Sequence, residues 1–505
     1  MPERAPSTAG SPIASVTVVY VLSLILSACS LLYELLIAQT LTLIAGNMVI
    51  WYSLTVGTYL AAMGVGAILY GSPTRSRDWG RLYRVEIMLS LIGASAVILL
   101  NFAHFLHLFQ TTQGAGTLST YVFFGLSFTV TFLIGVLTGM ELPLLIDLGN
   151  ELAAGTNVTN RVLGWDYIGA LAGGVTFPLF LVPFLELHTI GFVIAALNLL
   201  VAVYILRRFL SWAPGATLKT LGSATFGVAL TIAYLAGSHI EQYFLKKYYF
   251  YIESGVSLAT LFDPLHDMPF VYRESSPYQK IDIVHDPGRY DILMEAYSTK
   301  FTEDRSKPVD RYLFLNGDFQ TTSNAEELYH EWFAHVPIII NGKVPERVLV
   351  MGAGDGLLHR ELLKYDGVKS IVHVDIDHRL VALAKTHPIL TALNEHALDD
   401  PRVRTVFGDA FQYLRHHPDE TYDAIYLDFP AVMDYNLSKL YSREFYHFVK
   451  DRLADDGFAA LDAPDLYFSS QADGEGRIQS GHGGSWVIHS NTMRLAGFKT
   501  ILPYY

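Results

Sequence analysis

Gly352-Ala-Gly354-Asp355-Gly356 directly follows the apolar run Arg347–Met351, and glycines at such a place let the backbone turn tightly and approach a ligand closely. About 20 residues on, a second apolar run ends in Asp375-Ile-Asp377, where an acid can accept hydrogen bonds from both hydroxyls of a ribose. A third run ends in Gly408-Asp409-Ala410, placed to meet an adenine edge, and a fourth reads Asp423-Ala-Ile-Tyr-Leu-Asp428-Phe-Pro430. A glycine-rich turn alone is a weak signal, and any one of these acids could be a turn or cap residue. Four run ends that each carry an acid or a glycine define one nucleoside pocket.

The elements that must position these residues can be read around them. Arg347–Met351, Ser370–Val374, Asp423–Leu427 and Phe458–Leu461 read as buried strands, and Leu357–Tyr365, Leu380–Thr386 and Phe445–Leu453 as the helices between them. Such alternation predicts a parallel, doubly wound sheet with ligands at the carboxyl ends of its strands. Ahead of it, Lys280–Val284, Asp291–Ala296 and Arg311–Leu315 alternate like short strands, broken by Asp286-Pro-Gly and Asn316-Gly, which predicts a small β-rich subdomain. A helix-like stretch, Glu326 to His335, joins the two.

The first half of the chain is different. The 505 residues are 51% hydrophobic and only 16% charged, too apolar for an ordinary soluble protein, and the charges concentrate after about residue 240. Stretches long enough to cross about 30 Å of hydrocarbon, which takes roughly 20 residues, run near 14–40, 49–71, 85–108, 119–146, 162–185, 188–208 and 220–237. The predicted organisation is a bundle of seven helices over 1–240, a linker over 241–270, a small β subdomain with a gating helix over 271–340, and a Rossmann-like, class I methyltransferase-type domain over 341–505.

Basic loops mark the cytoplasmic side, here the loop with Arg75, Arg77, Arg81 and Arg84 and the one with Arg207, Arg208 and Lys219. Seven crossings from there would leave the nucleoside domain outside, away from its ligand. One stretch is therefore expected to be re-entrant or miscounted, the weak last one being the candidate, with a multi-pass protein of the inner membrane and a cytoplasmic catalytic domain as the result. Glu34, Glu141, Asp147 and Asp166 fall within or at the ends of the spans, where carboxylates are costly unless paired. Glu34 and Asp166 read as the deeper two. Gly135 to Gly139 and Gly169 to Gly174 have small residues at helical spacing, as close helix packing requires.

Several partners are disfavoured. A net charge of -13 without a basic stripe argues against nucleic acid. The single cysteine, Cys29, excludes disulfides within the chain and cysteine-based metal sites, and His416, His417, His482 and His489 match no ligand spacing. No metal and no prosthetic group are expected; a lipid bilayer and a homo-oligomeric partner are.

The residues also form an ordered series. Glu274-Ser-Ser-Pro-Tyr278-Gln279, Leu315-Asn-Gly317-Asp-Phe-Gln320, Glu326-Glu-Leu-Tyr329-His330-Glu331, the Gly352 loop, Val374-Asp375-Ile-Asp377, Gly408-Asp409-Ala410 and Leu440-Tyr441 before Phe445-Tyr446 follow one another. Over roughly 271–500 the chain resembles the membrane-fused branch of the spermidine synthases, which are polyamine aminopropyltransferases. The resemblance implies that Gln279, Gln320, Tyr329 and His330 line the site with Gly352 and Gly354. It also implies that Asp355 meets the amine of the ligand's aminopropyl or aminocarboxypropyl arm, that Asp375 holds the ribose, and that Asp409 and Ala410 face adenine. Asp428 matches the family's catalytic acid, which orients and deprotonates the attacking amine. The substrate would be decarboxylated S-adenosylmethionine or S-adenosylmethionine itself.

The chain departs from the family pattern in three places. The paired acids Asp-Ser-Ser-Asp-Pro or Asp-Leu-Pro-Asp-Pro become Asp428-Phe-Pro-Ala431-Val432, and the Asp-Glu before Tyr-His-Glu becomes Ala325-Glu326. Both lost acids are ones that bind the cationic acceptor, for which Asp318, Asp434 or Glu327 are the candidate replacements. The usual closing hairpin is missing after Ala496. Two enzymatic readings stay open: aminopropyl transfer to an amine such as putrescine, and cleavage of S-adenosylmethionine without an acceptor, as a lyase does; both release methylthioadenosine. From a different class, the soluble half would be a nucleoside sensor for a transport bundle.

Overall fold

The computed structural model describes residues 16–45, 48–71, 78–112, 116–153, 157–251, 270–285, 311–323, 326–430, 435–462 and 483–504. They fall into two compact units divided near residue 270.

The first unit is helical throughout: α1 (Val16–Ala45), α2 (Met48–Leu69), α3 (Asp78–Thr112), α4 (Gly116–Leu152), α5 (Val158–Thr176), α6 (Leu187–Phe209), α7 (Ala216–Leu235) and α8 (Gly237–Tyr251). Glycines set the spacing where helices touch. A Cβ on Gly139 of α4 would lie 2.1 Å from the Met63 carbonyl oxygen on α2, and one on Gly169 of α5 would lie 2.2 Å from that of Leu24 on α1. Both expected small-residue segments thus pack backbone against backbone.

Six of these helices, not seven, are long and apolar enough to cross a membrane. The one that falls short is α5, rather than the last stretch. It carries Arg161 and Asp166 and gives way at Thr176 to a π-helical turn, Phe177–Leu181, in which Pro178 has no amide to donate. α8 occupies the start of the expected linker. The acids are also ordered differently from expectation. Glu141 is among the most buried, at 5% exposure, whereas Asp147 accepts a 2.7 Å hydrogen bond from Tyr70.

The second unit opens with an antiparallel sheet of β1 (Tyr272–Ser275), β2 (Lys280–His285), β3 (Arg311–Leu315) and β4 (Asp318–Thr322), in that order. β3 and β4 are joined by Asn316-Gly317, both at positive φ (54° and 86°), the two-residue turn whose twist matches that of the strands. β1 and β4 were not expected from the pattern, and Asp291–Ala296 lies outside the described residues.

Then α9 (Glu326–Asn341) leads into a parallel sheet of β5 (Arg347–Gly352), β6 (Ser370–Asp375), β7 (Val403–Phe407), β8 (Tyr422–Asp428) and β9 (Leu453–Leu461), ordered β7-β6-β5-β8-β9. Period-two alternation gives each strand two buried faces. Val348 and Val350 pack with Phe333 and Ile338 of α9 and with Leu358 and Leu362 of α10 (Leu357–Leu363). Leu349 and Met351 pack with Tyr413 of α13 (Ala410–His416) and with Phe445 and Val449 of α14 (Arg443–Asp451). The β-hairpin residues Ile281, Ile283 and Leu313 rest on Leu380 and Leu383 of α11 (His378–Thr386) and on Ile389 and Leu390 of α12 (Pro388–Asn394). The strand order reverses between β5 and β8, and ligands of open α/β sheets bind at such a switch point.

Candidate active site

Gly352 and Asp428 are register partners at that switch point. Gly352 has φ +79°, and a Cβ on it would lie 1.9 Å from the Asp428 carbonyl oxygen; only glycine lets the two strand ends close. Gly354 is packed against the next strand end in the same way, since its Cβ would lie 2.8 Å from the Asp375 carboxylate oxygen Oδ2 and 2.9 Å from Leu380. Gly354→Ala is therefore expected to push Asp375 aside. Calorimetry with methylthioadenosine should then show at least about tenfold weaker binding, since losing one hydrogen-bonded charge interaction is worth about 1.5–3 kcal/mol; unchanged affinity would detach Asp375 from the ligand.

Asp375 ends β6 almost buried, and its Oδ1 accepts from the Asp377 amide at 2.6 Å. Asp377 in turn caps α11 by accepting from Arg379 and Leu380. Its other oxygen accepts from Ser276 Oγ at 2.7 Å and Gln279 Nε2 at 2.9 Å. Gln279 is thereby tied to Asp375 through Asp377. Gln320 is not brought in: it is exposed and its amide donates to the carbonyls of Asp318 and Phe319 beside it.

Asp428 accepts a 2.7 Å hydrogen bond from the Tyr329 hydroxyl. Burial, and next the charge of Asp355, raise its pKa to about 7 against the opposing pull of Tyr329 and His330; Asp462, after β9, adds to the rise. Tyr329 stays a donor, because burial and the negative charge of Asp428 push its pKa well up. Asp355 accepts from the Leu357 amide at 3.0 Å, fixing the loop that leads into α10. Tyr441 donates to the Pro430 carbonyl at 2.8 Å and anchors the segment after Asp428.

His330 is buried, with Nδ1 2.9 Å from the Glu326 carbonyl and 3.3 Å from its carboxylate. Burial works against its charged form, but Glu326, Asp355 and Asp428 prevail and hold its pKa above the ordinary value. Glu326 is clamped by Arg360 of α10 through two bonds of 2.7 and 2.8 Å. Burial would raise the Glu326 pKa, yet His330 and Arg360 bring it down to about 2.

After β7, Asp409 caps α13 by accepting from the Gln412 amide at 2.9 Å and pairs with Lys439. Ala410 is buried in the first turn of that helix. Asp409 thus enters the site with a cationic partner, which the sequence pattern did not suggest.

Two residues beyond the sequence-based set belong here. Arg360 holds the helix that carries Tyr329 and His330; an arginine one turn into the helix after a glycine loop was the available signal. Asp462 bonds through its amide to the Leu427 carbonyl at 3.2 Å and lies close enough to act on Asp428. Of the candidate replacements for the lost acids, Asp318 is exposed, and Asp434, like Ala325 and Ala431, lies outside the described residues.

The family described as "Spermine/spermidine synthase domain" matches residues 326–471. The chain is 31% identical to a polyamine aminopropyltransferase of Oceanobacillus iheyensis over 90% of its own length and 79% of that protein's. It is 32% identical to polyamine aminopropyltransferase 1 of Streptomyces coelicolor over 94% and 78%, and 33% identical to a Leptospira interrogans relative of the same name over 86% and 77%. These matches extend into the helical half. A solved spermidine synthase in complex with the transition-state analogue AdoDATO aligns with 44% of this chain and 64% of its own at 25% identity, with a TM-score of 0.35. The relatives and the ordered strand-end residues together show that this chain belongs to the spermine/spermidine synthase family of aminopropyltransferases.

Proposed function

We propose that the chain transfers the aminopropyl group of decarboxylated S-adenosylmethionine to an amine and releases methylthioadenosine, with Asp428 as the base. The observation that carries this reading is Asp428 beside Tyr329 at the switch point, with a pKa of about 7. An ammonium ion is not a nucleophile. Asp428 takes a proton from the bound ammonium, and the freed nitrogen lone pair attacks the aminopropyl carbon next to sulfur. That C–S bond breaks with its electrons going to sulfur, so the sulfonium leaves as a neutral thioether. Tyr329 occupies one oxygen of Asp428 and aims the other at the amine. Asp375 and Gly354 hold the ribose end, Asp355 the amine of the transferred arm, and Asp409 and Ala410 the adenine. Asp462 stands in for the acids lost at Ala325 and Ala431 as a partner for the cationic acceptor.

The test is incubation of the purified protein with decarboxylated S-adenosylmethionine or S-adenosylmethionine, each with and without putrescine, followed by mass analysis. Methylthioadenosine with spermidine, from the decarboxylated form and putrescine only, supports transfer. Methylthioadenosine from S-adenosylmethionine alone would replace transfer with the lyase, and no product would leave the nucleoside-sensing reading.

The acidic limb of the kcat/KM profile tests the same assignment. A base must be deprotonated, so activity should fall as pH drops through about 7, not near 4 where an unshifted aspartate titrates. Asp355→Asn removes a neighbouring negative charge and should move that limb to lower pH; a limb that stays in place would take Asp355 out of the account.

The helical unit is, in this reading, a membrane anchor, supported by its six long apolar helices. Trp79 at the start of α3 stacks on Phe209 at the end of α6, so Arg207 and Arg208 lie on the same side as Arg81 and Arg84, the side that basic residues mark as cytoplasmic, and the catalytic domain is assigned to that side, where its nucleoside substrate is found. Cys29 is buried, so Lys343→Cys, at an exposed position, gives one reactive thiol. A membrane-impermeant maleimide should leave it unlabelled in intact cells and label it after lysis; labelling in intact cells would put the domain outside.

A further inference from the structure

The helical unit contains a second polar cluster that the transfer reaction does not use. Glu86 of α3 is fully buried, Glu141 of α4 is 5% exposed, and their carboxyl groups adjoin. Cys29 and Tyr33 of α1 lie within electrostatic reach of both acids, and Tyr59 of α2 and Asp166 of α5 within reach of Glu141. Among the described residues no ion pair with Lys, Arg or His reaches either acid, and no group other than the Glu141 carboxyl bonds to Glu86. Burying two such groups is costly unless a positive charge or protons compensate them.

One further group is left open beside the pair. Asn198 of α6 is 1% exposed, and neither its amide nitrogen nor its oxygen has a partner. Ser90 of α3 bonds the Ala195 carbonyl at 2.6 Å, and Trp79 stacks on Phe209 at 3.8 Å, so the two helices run antiparallel and Asn198 stands at the level of Glu86.

We propose that Glu86 and Glu141, with Asn198, bind the ammonium group of a primary amine in exchange for a proton, so that the helical unit carries amines across the bilayer. The proposal rests on the membrane reading above. An ammonium offers three N–H donors, which two carboxylates and the Asn198 amide oxygen can accept. The empty pair is neutral with both protons in place; taking up one ammonium and releasing one proton keeps it neutral. A metal ion fits less well, because no group of three His, Cys, Asp or Glu among the described residues is arranged to hold one.

The full chain in phosphatidylethanolamine–phosphatidylglycerol vesicles with an entrapped pH dye tests this. External putrescine should raise the internal pH at least tenfold faster than in protein-free vesicles. Glu86→Gln and Glu141→Gln should each return the rate to that background while retaining aminopropyl transfer. A wild-type rate at background, or variants as fast as wild type, would overturn the proposal. Flotation of the same vesicles reports separately on the membrane reading: protein that stays behind would remove that reading and the carrier with it. In unmodified protein, dicyclohexylcarbodiimide should form an N-acylurea on Glu86 or Glu141 that putrescine suppresses; labelling indifferent to putrescine would equally overturn the site.

Discussion

Asp428→Asn is expected to lower kcat by about 10²–10⁴-fold, the span that a positioned general base contributes, while methylthioadenosine still binds within about twofold of wild type. The asparagine keeps the shape and can still accept from Tyr329, whose hydroxyl holds the carboxylate at 2.7 Å. What it cannot do is take a proton. The attacking amine then remains an ammonium ion at neutral pH, and raising the pH should recover part of the rate as free amine becomes available. The residues assigned to the ribose are held by other partners: Asp375 accepts from the Asp377 amide and Gln279 donates to the Asp377 carboxylate. Turnover by mass analysis and affinity by calorimetry separate the two quantities, and wild-type turnover in the variant would refute the base role.

The strand-end residues were legible in the sequence because each sits where period-two alternation stops and a glycine or acid begins. Gly352, Asp375 and Asp428 all fall at such places, and the sheet brings them to one edge. What the sequence hid depends on packing between distant segments. Arg360 meets Glu326 across 34 positions, a pairing set by how α10 lies against α9 and not by either helix's own pattern. Asp462 follows a strand that looked like four apolar residues, Phe458–Leu461, but runs from Leu453, and no motif marked the acid at its end. Gln320 kept its place in the motif yet turns to its own strand. In the helical half, Glu86 went unnoticed because it lies two residues from Arg84 near the edge of an apolar stretch; α3 extends back to Asp78, which draws that position inside. Hydropathy counted seven stretches because it averages over Arg161, Asp166 and Pro178, whose individual effects distinguish α5 from the six others.

Arg360→Met should cost the catalytic unit about 3–5 kcal/mol, the usual loss when one partner of a buried ion pair is removed. The arginine side chain is 10% exposed and that of Glu326 4%, and two further bonds run from it, to the Leu393 carbonyl at 2.6 Å and to Glu361 at 2.8 Å. Methionine fills much of the same space, so the loss comes from the stranded Glu326 carboxylate more than from a void. For a unit of roughly 200 residues each kcal/mol moves Tm by about 2–4 °C, giving a fall on the order of 10 °C in calorimetry. Glu326→Gln combined with Arg360→Met should be less damaging than the sum of the two single changes, since no lone charge stays buried. The sign with pH follows from the Glu326 pKa of about 2, below its ordinary 4.5: the clamp's contribution is fully present above pH 4.5 and is lost as pH falls toward 2. Wild type and Arg360→Met should therefore converge in stability on acidification. α9 carries Tyr329 as well as Glu326, so loosening it also frees the hydroxyl that aims Asp428, and kcat should fall with stability; a variant as stable as wild type at pH 7 would show that hydrophobic packing alone seats α9.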